Sequence, residues 1–150
     1  GVFPLLPEGV RARRLFEERF VCVCRRSLFD RPDGLSLDRY LAARHVRVSL
    51  QDNPAEEVDS ALEKRGLRRQ VALTLPHCPV APALLAGTDL VLTIAERTLE
   101  RLRLPEELAL CEPPLAIPRF DYVQIWRGDA EREAAGAWLR EQIQAAARKI

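Results

Sequence analysis

The sequence predicts an α/β fold, with a mostly parallel sheet and helices on both faces. Three short apolar runs, at 46–50, 70–75 and 90–94, are each followed by residues typical of a helix start. Strands that alternate with helices favour a parallel sheet with right-handed crossovers. The composition, 47% hydrophobic and 30% charged over 150 residues, is that of one ordinary globular domain.

The three strand–helix units span residues 45–96, which we call the central block. The segment before this block predicts few elements. Residues 1–14 are punctuated by proline and glycine and are expected to be connective. Residues 14–26 predict one long strand or a pair of short ones, 15–16 and 20–24. Ser36 is placed to cap a short helix over 36–43.

Three helices are predicted within the central block. The first, 54–65, begins after Asn53 or Asp52 as its N-cap and ends at a glycine. The second, 79–86, is short and apolar on most faces, which suggests burial against the sheet. The third begins with a capping-box pattern at Thr93 and is stopped by a proline.

The last third of the chain predicts two strands and a long helix. The strands are 108–111 and 120–126, joined by a proline-rich extended connector. Asp129 is expected to cap a closing helix from 130 to about 148. Its apolar stripe needs a partner, and the central block is already supplied with helices.

The charge pattern excludes several classes of function. The 23 basic and 22 acidic residues are interspersed and give a net charge of +1, so nothing favours nucleic-acid or membrane binding by this chain itself. No apolar run approaches the roughly 20 residues of a membrane span, and the order of a signal peptide is missing. The absence of methionine and the abrupt apolar start lead us to expect a fragment of a longer protein.

The four cysteines, Cys22, Cys24, Cys78 and Cys111, match no zinc-ribbon spacing. On a strand, Cys22 and Cys24 would face the same side, which is poor geometry for a disulfide between those two. We interpret the cysteines as small buried hydrophobes in a reducing compartment. Metal or redox chemistry is the alternative.

Short stretches in a consistent order resemble the effector-binding domain of LysR-type transcriptional regulators. No single stretch is specific, but their collinearity over nearly the whole chain is. The stretches are 15–23, 45–49, 58–62 with 66–71, 75–77 with 81–85 and 88–91, 113–115, and 126 with 137–140.

The resemblance implies a fold like that of type 2 periplasmic binding proteins, with two α/β lobes, two hinge crossovers and a ligand cleft between the lobes. On this chain, residues 1–18 and 121–150 would be a partial first lobe. Residues 19–25 and 117–121 would be the hinge crossovers, and 26–117 a nearly complete second lobe. The DNA-binding winged helix-turn-helix of the family would be absent from this chain.

The resemblance also implies a function. The chain would be the effector-sensing domain of a cytoplasmic DNA-binding regulator that binds a small organic ligand, anionic or aromatic, without a cofactor. A periplasmic-type solute-binding protein is one alternative, which the free cysteines and the missing signal disfavour. A small α/β enzyme is another. The chain has two histidines, no Gly-x-Ser-x-Gly, no glycine-rich phosphate loop and no metal-ligand cluster, so we expect no enzyme.

The candidate effector-binding residues come from the turns at which the predicted strands end, because ligands bind there in open α/β sheets. Free backbone N–H groups between the first strand and its helix favour an anion, although Asn53 is equally plausible as a plain N-cap. The turn after the second strand is included because the resemblance implies that relatives place pocket-lining side chains there. The candidates from these turns are Ser49, Leu50, Gln51, Asn53, Pro76, His77, Cys78 and Thr93.

The expected hinge strand contributes two more candidates. Cys24 would face either the cleft or the core, and Arg25 is a candidate counter-ion for a ligand carboxylate, with a structural salt bridge as the alternative. His45 is interpreted as structural. For partners, the resemblance implies a homodimer or tetramer of the full-length protein, to which the helix 54–65 and the strand near Val71 would contribute. DNA would be bound only through the missing domain, and no membrane is expected.

Overall fold

Two units divide the chain in the computed structural model, which describes residues 1–2, 5–49, 57–100 and 102–148. Unit 1 combines Gly1–Glu18 with Arg119–Ile150, and unit 2 is Arg19–Pro118. In the described ranges, no helix is long and apolar enough to cross a membrane.

Unit 2 is built on a five-stranded sheet with the order β4-β3-β5-β2-β6. The strands are β2 (Phe20–Arg25), β3 (Arg44–Val48), β4 (Gln70–Leu75), β5 (Leu90–Ala95) and β6 (Leu108–Cys111). β3 runs parallel to both β4 and β5, whereas β2 pairs antiparallel with both β5 and β6. The prediction of a mostly parallel sheet was therefore wrong: the sheet is mixed. An apolar run marks a buried strand of either direction, so the sequence pattern could not give the direction of β2 and β6.

Helices cover both faces of this sheet, as expected. α1 (Leu37–Ala42) and α2 (Glu57–Glu63) lie on one face, and α3 (Ala81–Leu85) lies on the other. Side chains alternate along β2, so that Cys22 and Cys24 pack in the layer of α1 and α2 while Val21 and Val23 pack in the layer of α3. The sheet is therefore the middle layer of unit 2.

Capping chemistry fixes the start of α1. The hydroxyl of Ser36 accepts a hydrogen bond of 3.1 Å from the backbone N–H of Arg39, so the predicted N-cap is confirmed. α2 was predicted from residue 54, and positions 52–56, with both of its candidate caps, lie outside the described residues. α3 is shorter than predicted, because the 3₁₀ turn Cys78–Val80 precedes it.

The predicted third helix of the block is only the 3₁₀ turn Glu96–Thr98. Thr93 lies inside β5, where it is opposite Cys22 in the antiparallel ladder. Its hydroxyl lies 2.8 Å from the Tyr40 hydroxyl. The capping-box prediction was wrong, because the ladder with β2 continues to Ala95 and takes Thr93 into the core.

Unit 1 contains the antiparallel pair β1 (Val10–Glu18) and β7 (Phe120–Arg127) together with α4 (Ala134–Ala147). Residues 10–14 were expected to be connective but belong to β1, whose exposed arginines concealed a strand pattern. Asp129 does not cap α4. It lies in the 3₁₀ turn Gly128–Arg132, and Glu133 is the N-cap residue. On α4, Trp138 is 63% exposed.

Candidate functional site

The turns that follow β3 and β4 lie side by side. Val48 is level with Leu75 in the parallel ladder, and the backbone N–H of Ser49 donates a hydrogen bond of 2.9 Å to the Leu75 carbonyl. Pro76 and His77 follow the end of β4 and are exposed. The structure thus brings Ser49 and the Pro76–His77 turn together. We call the edge of the sheet at which β3, β4 and β5 end the carboxyl edge.

The end of β5 reaches the carboxyl edge at Ala95 and Glu96, because β5 is parallel to β3. There the Arg19 carbonyl accepts a hydrogen bond of 2.9 Å from the Glu96 N–H. The Arg19 guanidinium donates to Glu96, with Nε 2.6 Å from Oε2, and also to Glu112. These hydrogen bonds, first with Glu96 and then with Glu112, raise the pKa of Arg19.

Sequence reasoning missed this arrangement of Arg19, Glu96 and Glu112. Arg19 immediately precedes an apolar strand, and both carboxylates lie far along the chain, so no local pattern connects them. The two carboxylates together carry one charge more than the guanidinium. Arg19 therefore joins the start of β2 to the ends of β5 and β6 and is not a free cation for a ligand.

Cys78 follows His77 in the chain and has a 9% exposed side chain, which packs in the core layer that contains Ala81 and Leu85. Burial raises the pKa of its thiol. Cys78 is therefore a neutral side chain of the core. His77, in contrast, has an exposed imidazole that can donate or accept a hydrogen bond.

Three of the predicted site residues, Leu50, Gln51 and Asn53, lie outside the described residues. Their predicted role, to offer backbone N–H groups at the start of the helix after β3, stays a prediction.

Arg25 lies away from the carboxyl edge. β2 runs antiparallel to β5, so its last residue lies near the amino-terminal ends of β5 and β3. Its Nη1 is 3.5 Å from the Asp89 carboxylate, which precedes β5. The structural salt bridge is thus what the structure shows, and Arg25 is left out of the site.

Cys24 and Thr93 are interior residues of unit 2. Cys24 is 0% exposed and packs in the layer of α1 and α2, and Thr93 is hydrogen-bonded to Tyr40. Neither side chain faces solvent in the unit to which it belongs, so neither is kept as a candidate for ligand contact.

Two concavities of unit 2 are lined by other residues. One, of about 210 Å³, lies near the amino-terminal ends of β3 and β5 and includes Arg39, Arg44 and Asp89. The other, of about 290 Å³, lies between α2 and β4 and includes Asp59, Arg69 and Val71. Within the described ranges, no group of three or more His, Cys, Asp or Glu side chains could hold a metal ion.

The chain is similar to known proteins over nearly its whole length. The family model described as the LysR substrate binding domain matches residues 1–148. The chain is 30% identical over 141 residues to the HTH-type transcriptional activator NagR of a Ralstonia species, covering 94% of this chain and 47% of NagR. It is likewise 30% identical to the HTH-type transcriptional activator NahR of Pseudomonas putida, with the same coverage.

Solved structures agree with the sequence relatives. The regulatory domain of MexT, a transcriptional activator in Pseudomonas aeruginosa, superimposes with a TM-score of 0.83 at 28% identity, covering 96% of this chain and 69% of that one. These relatives are transcriptional regulators and not enzymes. The chain spans about half the length of the curated relatives that it matches.

Proposed function

Because the chain belongs to the LysR substrate-binding domain family, we propose that it is the effector-sensing part of a DNA-binding transcriptional regulator, with unit 2 supplying one wall of the effector site at its carboxyl edge. The observation that carries this assignment is the adjacency of Ser49 and the Pro76–His77 turn where β3 and β4 end. In open α/β sheets, this is the edge at which ligands bind.

The ligand class is a small organic anion, aromatic or aliphatic. His77, which lies beside Ser49, offers an exposed imidazole as a hydrogen-bond donor to a carboxylate. Arg19, neutralised by Glu96 and Glu112, holds the adjoining strand ends in place and does not itself pair with the ligand.

A screen of carboxylates tests this proposal on the protein that contains this chain. Benzoate, phenylacetate and succinate are added separately while thermal unfolding is followed, and the solution is assayed for any chemical conversion. We expect saturable stabilisation by at least one of these classes and no turnover, since a ligand that binds only the folded state raises its stability. Hydrolysis or another conversion of an added compound, with no stabilisation by any carboxylate, would overturn the sensor assignment.

DNA recognition is assigned to a part of the regulator other than this chain. The basic and acidic residues here are nearly equal in number, so the chain has almost no net positive charge with which to attract phosphates. As a regulator of transcription, the protein is placed in the cytoplasm. An electrophoretic mobility shift with the isolated chain is expected to show no salt-sensitive DNA binding, and binding that weakens steeply with salt would contradict this assignment.

Self-association is assigned to α2 and β4. β4 is the outermost strand of its sheet, and Val71 and Leu73 on it are each 36% exposed. An exposed edge strand with apolar side chains is a ready surface for pairing. Light scattering should show a larger assembly for the whole regulator than for a Val71→Lys variant. An unchanged assembly in that variant would exclude this surface.

A further inference from the structure

The core of unit 2 holds three cysteine side chains on neighbouring strands. Cys22 and Cys24 of β2 are fully buried in the layer of α1 and α2, and Cys111 of β6 lies in the same layer with 7% exposure. All three are free thiols. The effector site proposed above uses none of them.

Cys22 and Cys111 are direct neighbours across the sheet. The antiparallel ladder between β2 and β6 pairs these two residues, whereas Cys24 is paired with Ala109. Directly opposite residues have Cα atoms about 4.5–5.5 Å apart, which lies within the range of about 4.4–6.8 Å that a disulfide bridges. Cys24 is diagonal to Cys111, at a separation of about 7–8 Å. Cys22 is therefore the partner that needs less backbone movement.

The electrostatics of the cluster single out Cys111 as the more nucleophilic sulfur. The thiols of Cys22 and Cys24 hydrogen-bond to Cys111 and lower its pKa. The same hydrogen bonds, and burial after them, raise the pKa of Cys22 and Cys24. Thiolates are the reactive form of cysteine. Cys111 is also on the outermost strand of the sheet, where it retains the little exposure that this cluster has.

Soft-metal binding by the three sulfurs is not favoured, because no group of three such side chains in the described residues could hold a metal ion. Formation of a disulfide between two of the sulfurs is the alternative. It requires only Cys22 and Cys111, which the ladder already places opposite each other.

We propose that Cys22 and Cys111 form a reversible redox site that closes to a disulfide in the presence of a hydroperoxide. The Cys111 thiolate attacks the terminal oxygen of the hydroperoxide, so that an S–O bond forms as the O–O bond breaks and Cys111 becomes a sulfenic acid. The other oxygen leaves and takes up a proton, which gives an alcohol, or water when the oxidant is hydrogen peroxide. Cys22 sulfur then attacks the Cys111 sulfur and expels water. In total, two thiols lose two electrons and two protons, and one hydroperoxide is reduced. A dithiol reverses the change by exchange.

The bond would tie together the two strands that connect unit 2 to the rest of the chain. β2 begins just after Arg19, where unit 2 starts, and β6 ends shortly before Pro118, where it stops. Oxidation would therefore restrict separation of the entering and leaving strands, and the amide protons of β6 should exchange more slowly in the oxidised protein.

Mass spectrometry of the intact protein tests this site. The protein is treated with cumene hydroperoxide, alkylated under denaturing conditions and compared with an untreated sample. We expect the treated protein to have lost two hydrogens and to take up two fewer alkyl groups. Digestion should yield a linked peptide pair containing Cys22 and Cys111, which a dithiol should release.

Serine variants provide matched controls from the same chain. Cys22→Ser and Cys111→Ser should each abolish the loss of two hydrogens, whereas Cys24→Ser and Cys78→Ser should retain it. Circular dichroism of each variant checks that it is folded. No linkage in the wild-type protein, or a linkage that survives in Cys22→Ser, would overturn the proposal, the latter by naming Cys24 as the partner. The effector assignment would be unaffected by either result.

Discussion

His45 Nε2 donates a hydrogen bond of 2.8 Å to the carbonyl oxygen of Tyr40, in the interior of unit 2. The donor assignment follows because a carbonyl can only accept. The two rings also meet edge to face, with centroids 4.5 Å apart. His45 is 0% exposed, and burial lowers its pKa to about 4. The interpretation of this histidine as structural agrees with that environment.

The buried His45 predicts that stability falls on mild acidification. Its pKa is about 4 in the folded chain against 6.5 as the ordinary value, so between these values the unfolded chain binds more protons. The free energy of unfolding contributed by His45 is therefore fully present above pH 6.5 and is lost progressively as the pH falls towards 4, by up to about 3 kcal/mol. Urea unfolding between pH 7 and pH 4 measures this slope.

A His45→Gln variant is the matched control for the acid effect, because glutamine does not titrate. Its unfolding free energy should be lower at pH 7 but should depend less on pH between 6.5 and 4. Equal pH slopes for the wild-type protein and the variant would assign the acid sensitivity to other groups.

Asp59 and Arg69 form a buried ion pair, and breaking it should be costly. The guanidinium is 1% exposed and meets the Asp59 carboxylate with two hydrogen bonds, of 2.7 and 3.0 Å. Asp59→Ala should lower the free energy of unfolding by about 3–5 kcal/mol, because it removes the carboxylate from a buried charge. Chemical denaturation checks this value. Glu63→Ala, at an exposed position of the same helix, should change the free energy of unfolding by less than about 0.5 kcal/mol. Equal effects of the two substitutions would show that the ion pair contributes no more to stability than an exposed residue does.

Only glycine fits at position 34, because the Cys111 side chain occupies the space that a Cβ would need. A Cβ added at Gly34 would lie 2.6 Å from the Cys111 Cβ, and Gly34 has a φ of +154°. Gly34→Ala should therefore destabilise unit 2 by roughly 3 kcal/mol through overpacking and backbone strain. Gly66→Ala is the control, since its added Cβ has no neighbour within 4 Å and only its φ of +69° opposes the change, at about 1 kcal/mol. The melting temperatures of the two variants should differ in this order, and the reverse order would contradict the contact.

Strand positions in unit 2 were predictable from the sequence because buried strands are marked by short apolar runs. The structure confirms β4 over Gln70–Leu75 and β6 over Leu108–Cys111 at the predicted bounds. The Ser36 cap was predictable as well, because a cap acts within a few residues of itself.

Features that depend on distant pairing were not predictable. Thr93 matched a local capping box, but the ladder between β5 and β2 and the Tyr40 hydroxyl decide its position. The direction of β2 places Arg25 beside Asp89, and nothing local specifies that direction. The contacts of Arg19 with Glu96 and Glu112 exist only once β2, β5 and β6 are side by side.

The adjacency of two of the predicted turns was predictable for a simple geometric reason. Parallel strands that each end in a turn bring those turns to one edge, so Ser49 and the Pro76–His77 turn meet. Burial removed Cys24 and Thr93 from the candidates. The burial of Cys24 agrees with the interpretation of the cysteines as small buried hydrophobes, whereas the burial of Thr93 was not evident from the sequence pattern.

The location of ligand-induced protection from hydrogen exchange tests the effector assignment most directly. The protein is incubated with the carboxylate that stabilises it best, and peptide-level exchange is compared with and without that compound. Slower exchange should appear in peptides covering Ser49 and Pro76–Cys78, with little change in the concavity at Arg39 and Arg44 on the other end of the sheet. Protection at Arg39 and Arg44 with none at the carboxyl edge would contradict the account.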